Sequence, residues 1–314
     1  MANATVSYLG QINSSDPKDA LFLKKFSGEV LTAFATKNVM EGRHMVRNIT
    51  SGKSAQFPAT WKAQASTHLP GEEILGGQIK HGEVVITIDD LLVAPVFISN
   101  IEEAKNHYDV RGTYSTEMGR ALAKTYDQNV IQTGVLAARS SGESGISDAP
   151  GGSVLTNDSY ATDGVALANG MFAARQALDE KDVPEEDTVA LFRPAQFYLI
   201  VQNTDAINKD WGGQGSYADG NVVKIADIPV TKTNNLPKTN ITSGNTKYQG
   251  DFSATAGLIM HKMAAGTVKL LDLAIESEYQ VSRQGTLMVG KYAVGHGKLR
   301  PECAVEMALD TTTF

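Results

Sequence analysis

Ile101-EEAKNHYDVRGTYSTEMGRALAKTYDQNVIQTGVLAA-Arg139 runs without a proline and decides the architecture. Within it Tyr114, Met118, Leu122 and Tyr126 recur every four residues, and Ala121 and Thr125 fill the neighbouring positions. That spacing lays an apolar stripe along one face of an α-helix. Asn100 is placed as its N-cap, with Glu103 three residues on completing a capping-box arrangement. Uninterrupted, the helix would extend roughly 55 Å at about 1.5 Å per residue. Gly112, Gly119 and Gly134 weaken it and mark candidate bends. A helix this long reads as a strut rather than an ordinary core helix.

Upstream, Leu91-LVAPVFI-Ser99 reads as a strand leading into the strut. From Gly52 to about Asp89 the chain reads as a long β-hairpin. Its outgoing arm is Ser54-AQFPATWKA-Gln64, its tip is the Pro- and Gly-containing Ser66-THLPGEEILGG-Gln78, and its return arm is Lys80-HGEVVITI-Asp89. Val84, Ile86 and Ile88 alternate with Glu83, Val85 and Thr87 in the return arm. The outgoing arm has few large apolar residues, and an isolated two-stranded ribbon is marginal in water. The ribbon therefore needs a surface to lie on, either a neighbouring copy or its own chain. Phe57, Trp61, His68, Ile74, Ile79 and Val84 are its candidate contact residues for a neighbour. Further upstream, Ala20-LFLKKFSGEVLTAF-Ala35 is amphipathic enough for a short helix or two.

Downstream, Ser140-SGESGISDAPGGSV-Leu155 breaks the regular pattern. An α/β region follows. A helix is expected from Thr162 or Asp163, burying Val165, Ala168, Met171, Phe172 and Leu178, then a strand at Thr188–Arg193, with Pro194 opening another helix. Trp211–Ser216 and Asn234–Tyr248 read as exposed loops, and Val222–Ile225, Ile228–Thr231 and Gly257–His261 as strands. Strands are expected again at Glu276–Ser282 and Thr286–Gly295. A turn is expected at Gly295–Arg300, and Cys303 is placed as a buried, inert thiol in the closing strand.

The net charge of −7 is unevenly distributed. Met1 to Lys62 holds eight basic and four acidic side chains, a surplus of +4 that leaves −11 for the rest. A basic leader on an acidic body suits a protein that faces a polyanion on one side, although a solvated leader would have the same composition. Lys24, Lys25, Arg43, Arg47 and Lys53 are the candidate residues facing a genome or an acidic scaffold. No stretch of eighteen apolar residues occurs, so no membrane partner is expected. The opening MANATVSYLGQINSSD lacks the basic start and apolar run of a secretory signal. One cysteine excludes an internal disulfide, and a reducing cytoplasm is the expected folding compartment.

Ser51-Gly52-Lys53-Ser54 imitates part of a phosphate-binding loop, but Arg47 stands where the first glycine is required and a β-arm follows in place of a helix. His44, His68, His81, His107, His261 and His296 are never paired at metal-ligand spacing. The adjacent Glu102-Glu103 and Glu185-Glu186 read as charges at helix N-termini. No nucleophile, base and orienting group come together. Neither catalytic residues, a metal nor a cofactor is expected.

Six blocks carry a resemblance: Leu21-FLKKFSGEVLTAF, Arg43-HMVRNITSGKSAQFP, Val85-ITIDDLL, Ile101-EEAKNHYDVRGTYS, Ala265-GTVKLLDLA and Lys291-YAVGHGKLRPE. In order and spacing they resemble the major capsid proteins of autographiviruses, short-tailed bacteriophages that encode their own RNA polymerase. The middle of the chain, about Ser140 to Thr255, matches only in its order of elements. The resemblance implies an α+β chain of the Johnson (Hong Kong 97-type) capsid fold. It implies an N-terminal arm at 1–51, an extended hairpin loop at 52–89, and a peripheral domain with a spine helix at 90–152. An axial domain at 153–263 and returning peripheral strands at 264–314 complete the expected layout. The implied function is a virion shell built in the bacterial host cytoplasm from many copies, as hexamers and pentamers. Scaffolding protein and portal would take part, and the shell would contact double-stranded DNA non-specifically. An encapsulin-like nanocompartment shell enclosing enzyme cargo is the alternative with the same fold.

Overall fold

The computed structural model describes residues 39–63, 65, 67–71, 73, 76–77, 79–105, 111–142, 149–202 and 224–309. The amphipathic segment at 20–35 and the loop at 211–216 lie outside these. The chain begins with β1 (Met45–Asn48), β2 (Ser54–Thr60), β3 (His81–Thr87) and β4 (Leu92–Ser99). Two helices follow, α1 (Asn100–Lys105) and α2 (Arg111–Ala138). Next come β5 (Ser153–Thr156), α3 (Gly164–Asp179), β6 (Thr188–Phe192), α4 (Pro194–Gln202), β7 (Lys224–Ile225) and β8 (Ile228–Lys232). A small pair, β9 (Asn240–Ile241) and β10 (Gly250–Asp251), precedes β11 (Thr255–His261), β12 (Ala265–Gln280), β13 (Gly285–Lys298) and β14 (Ala304–Ala308).

Two compact units emerge. One takes in Asp90–Tyr126 and Leu270–Val294; the other takes in Lys37–Asp89, Asp127–Lys269 and Gly295–Phe314. In the first, β4 and β13 pair antiparallel from Ser99 opposite Gly285 to Leu92 opposite Tyr292. The strut's expected stripe forms its core: Met118 and Leu122 are buried, and Met118 packs with Ile98 and Met288 against Tyr114, Ala94 and Val96. Tyr126 and Tyr292 meet with ring centroids 5.7 Å apart. Asn100 is the first helical residue, and its side-chain amide donates to the Tyr279 hydroxyl (2.8 Å) in place of capping the helix.

The second unit is built on a six-stranded sheet in the order β5-β14-β11-β6-β8-β7. Every residue of β6, β11 and β14 is buried, so these strands are mostly apolar, with Thr188, Thr255, His261 and Glu306 as their buried polar members. The C-terminal half of α2 packs on one face at Gly134, where a Cβ would stand 2.9 Å from Leu258 Cδ2. Helix α3 starts after Asp163, whose carboxylate accepts from Val165 N (2.8 Å), as the sequence predicts. It buries Leu167, Met171, Ala174 and Leu178. Val165 and Phe172 were expected inside but are exposed: they lie seven residues apart on the opposite face. β1, placed in the arm by sequence, pairs parallel with the start of β12, Met45 opposite Gly266.

Three further expectations are corrected. The loop after β8 is not wholly exposed, because Asn235, Leu236 and Tyr248 are buried. Gly295–Arg300 is no turn: β13 continues to Lys298 and buries His296. Its glycines serve close approach, since a Cβ on Gly295 would fall 2.1 Å from the carbonyl oxygen of Thr87. Cys303 sits in a short 3-10 turn just before β14, and burial pushes its thiol up to about 12, consistent with an inert residue.

Candidate functional site

The hairpin is the most distinctive surface element, and its root is built into the second unit. β2 and β3 pair antiparallel, Phe57 opposite Val84 and Thr60 opposite His81. Ala55 and Ile86 enter a buried cluster with Val268 and Leu299, and Met45, Ile49, Phe57, Val84 and Ile88 pack against it. The root thus rests on its own chain, contrary to the reading of a ribbon with no core of its own. Beyond Thr60 and His81 the described residues are mostly exposed, with an ion pair between Lys62 and Asp182 as a tie to the body. Trp61 is half-buried and donates its backbone N–H to Lys80 O (3.0 Å), while His68, Leu69 and Ile79 are exposed. Phe57 and Val84 therefore belong to the root, and His68 and Ile79 to the projecting part. Ile74 lies outside the described residues.

A polar clamp holds the return arm where it leaves the root. Lys247 Nζ donates to Thr87 O (2.9 Å), Thr87 Oγ1 (2.6 Å) and Asp89 Oδ1 (2.7 Å). The Tyr248 hydroxyl donates to Asp89 Oδ2 and accepts from His296 N (3.0 Å). Burial, reinforced by Asp89, pushes the Tyr248 phenol well above its ordinary range. His296 Nδ1 is hydrogen-bonded to Thr267 Oγ1 (2.8 Å). Burial, with His44, Lys247 and Lys269 adding positive charge, lowers the His296 imidazole to about 3 and keeps it neutral.

A second anchor holds the chain just ahead of β1. Asp127, buried in mid-α2, accepts from the backbone N–H groups of Val39 (3.2 Å) and Met40 (2.8 Å) through Oδ1. Its Oδ2 accepts from Asn235 Nδ2 (2.6 Å). His44 Nδ1 is hydrogen-bonded to Met40 O (2.8 Å). Sequence reading missed both anchors. No local signal was available, because a carboxylate next to an apolar residue on a helix points to a different face and is ordinarily solvated.

The described candidate basic residues each have their own contacts. Arg43 donates to Thr231 Oγ1 (2.9 Å), and Arg47 donates to Gln56 O and stacks 4.5 Å over the Phe57 ring. Lys53 is exposed, and its carbonyl accepts from Ile88 N (2.9 Å). Lys24 and Lys25 lie outside the described residues. Among the described residues no three His, Cys, Asp or Glu side chains are grouped to hold a metal, and no helix is long and apolar enough to cross a membrane.

Comparison with known proteins agrees with this arrangement. The family described as "Gp10A-like: Major capsid protein" matches residues 56–308. The major capsid protein of Escherichia phage T7 is 38% identical over 316 residues, covering 91% of each chain. That of Enterobacteria phage T3 is 35% identical, covering 96% of this chain and 94% of its own. Among solved structures, the capsid of Cyanophage P-SCSP1u is 44% identical with a TM-score of 0.84, covering 99% of this chain and 100% of that one. The mature capsid of bacteriophage PhiM1, at 17% identity and a TM-score of 0.79, shares the fold over 98% of this chain. These neighbours are phage capsids with the Hong Kong 97-type fold. The family match over most of the chain, together with these relatives and this fold, places the chain in the Gp10A-like family of phage major capsid proteins, the shell-forming subunits of the virion.

Proposed function

We propose that copies of this chain close into an icosahedral shell around the double-stranded DNA genome of a short-tailed bacteriophage, with the hairpin at 52–89 reaching onto a neighbouring subunit. One observation carries this reading: the hairpin is fixed at Ala55, Ile86 and Asp89, while His68, Leu69 and Ile79 beyond that root are exposed. A projecting two-stranded ribbon gains stability by lying on another surface. Hexamers and pentamers close by many such contacts, each modest, whose multivalency makes the shell durable without disulfides. In this reading 1–51 forms an arm, 90–152 and 264–314 the peripheral domain and 153–263 the axial domain. Lys24, Lys25, Arg43, Arg47 and Lys53 partly face the genome or an acidic scaffold. Contacts of that kind are non-specific and salt-sensitive. Assembly takes place in the host cytoplasm with scaffolding protein and portal, and the chain needs no catalytic group, metal or cofactor of its own. The relatives are phage capsids, which favours a genome as contents over the enzyme cargo of an encapsulin-like compartment.

Electron microscopy of particles made from the full chain and from a variant lacking 62–79 tests the hairpin's role. Closed shells from the first and only open or small oligomers from the second are expected; normal closed shells from the variant would remove the hairpin from assembly.

A further inference from the structure

A cleft of about 670 Å³ in the second unit opens between α2, the start of α4 and the chain following β8. Arg193, Gln196, Asn235 and Lys238 are among its polar lining, Leu236 and Pro237 among its apolar lining, and no aspartate or glutamate among the described residues lines it. Helix α4 begins in this wall at Pro194, so its positive N-terminal end adds to Arg193 and Lys238. Three buried atoms here have no hydrogen-bond partner among the described residues: Gln196 Oε1, Asn235 Oδ1 and Arg193 Nε. Gln196 is 8% and Asn235 1% exposed. The Asn235 amide is held in place by its Nδ2 bond to Asp127, so its oxygen faces away from that carboxylate and needs a donor. Two orphaned acceptors beside a cationic donor suit a ligand with hydroxyl or amide donors, a carboxylate and some apolar surface.

A segment of that chemistry starts close by. β14 and β6 both flank β11, with Ala308 opposite Thr255 and Phe192 opposite Gly257, so both strands end at the same edge of the sheet. Two strand spacings separate them, about 10 Å. Leu309 N donates to Ala254 O (2.8 Å), and Arg193 reaches Phe252 O (3.5 Å) and Pro237 O from the other side. Asp310-Thr311-Thr312-Thr313-Phe314 follows Leu309 and can span up to about 17 Å. We propose that this cleft is the docking site of the chain's own 310–314 segment. The Asp310 carboxylate is drawn to Arg193 and Lys238, threonine hydroxyls donate to Gln196 and Asn235, and the Phe314 ring covers Leu236 and Pro237.

The test uses the full chain and two readouts. In hydrogen–deuterium exchange, the 311–314 amides are protected about tenfold or more over a free peptide of that sequence, and the exposed-site charge reversal Lys238→Glu removes most of that protection. Exchange at peptide rates in the parent chain would overturn the proposal, as would protection unchanged by Lys238→Glu. In the second readout Thr312→Cys is combined with Lys238→Cys, or with Glu180→Cys as a control, and the protein is oxidised. A disulfide within one chain for the first pair but not the control supports the docking. No disulfide, or one joining two chains, would overturn this intrachain seat. Particle closure is scored separately by electron microscopy, so loss of the docking and loss of the shell reading are told apart.

Discussion

Glu306 is completely buried in the middle of a core strand, and its charge is met by Arg139 just past the end of α2. The guanidinium grips both carboxylate oxygens (Nε to Oε2 2.6 Å, Nη2 to Oε1 2.7 Å) and also donates to Asp251 O (2.6 Å), while Thr255 Oγ1 donates to Glu306 Oε1 (2.7 Å). Fork-to-fork geometry with every oxygen engaged offsets the desolvation of both ions. Removing one partner strands the other charge, so Glu306→Ala is expected to cost about 3–5 kcal/mol in urea unfolding, whereas Arg139→Met with Glu306→Leu recovers most of it. Equal losses for the single and double variants would refute that account. Asp127 acts similarly on a smaller scale. Asp127→Ala deletes three hydrogen bonds to a carboxylate, and a loss of about 1.5–3 kcal/mol is expected, with faster amide exchange at Val39 and Met40. Unchanged exchange there would mean that the segment is held by something else. Neither pairing could be read from the sequence, because 167 residues separate Arg139 from Glu306 and 108 separate Asp127 from Asn235.

The hairpin and the strut were legible as elements, for a physical reason. Alternation at Val84–Ile88 and the four-residue step from Tyr114 to Tyr126 are local periodicities imposed by one buried face. The junction between hairpin and body was not legible. Gly295 and Gly297 look like turn residues, yet they lie in β13 so that the strand can pass against the root. A Cβ at Gly295 would be 2.1 Å from Thr87 O, and one at Gly297 would be 2.9 Å from Ile86 Cγ1. Gly295→Ala should therefore loosen the clamp at Thr87 and Asp89. The expected result is faster exchange at the amides of 86–88 and fewer closed particles by electron microscopy. Wild-type yields of closed shells would show that a fixed root is not required. α3 shows the limit of periodicity in another way. Val165 and Phe172 match an apolar stripe as well as Leu167, Met171, Ala174 and Leu178 do, and only the position of the sheet decides which stripe is buried.

For the molecule as a whole, three histidines of the second unit couple stability to acidity in the same direction. Burial lowers His44, His261 and His296, the last to about 3 from an ordinary 6.5. Below pH 6.5 the unfolded chain takes up protons that the folded one refuses, so stability is full above that pH and is lost as pH falls toward 3. Each such group contributes at most about 1.4 kcal/mol per pH unit across its window. The urea midpoint of the full chain should already drop between pH 6.5 and 5, before most carboxylates titrate, and His296→Asn should flatten that slope. A midpoint level across this interval would contradict it. By itself the sequence determined the order of elements, the strut, the hairpin and the family likeness, because each is written in local periodicity or in contiguous blocks of residues. Tertiary structure alone decided which apolar face is buried, how the hairpin root is clamped and where the buried charges find partners. Those outcomes depend on groups far apart in the chain meeting out of water, where an unpaired charge or a misplaced Cβ is costly and no local pattern records the meeting.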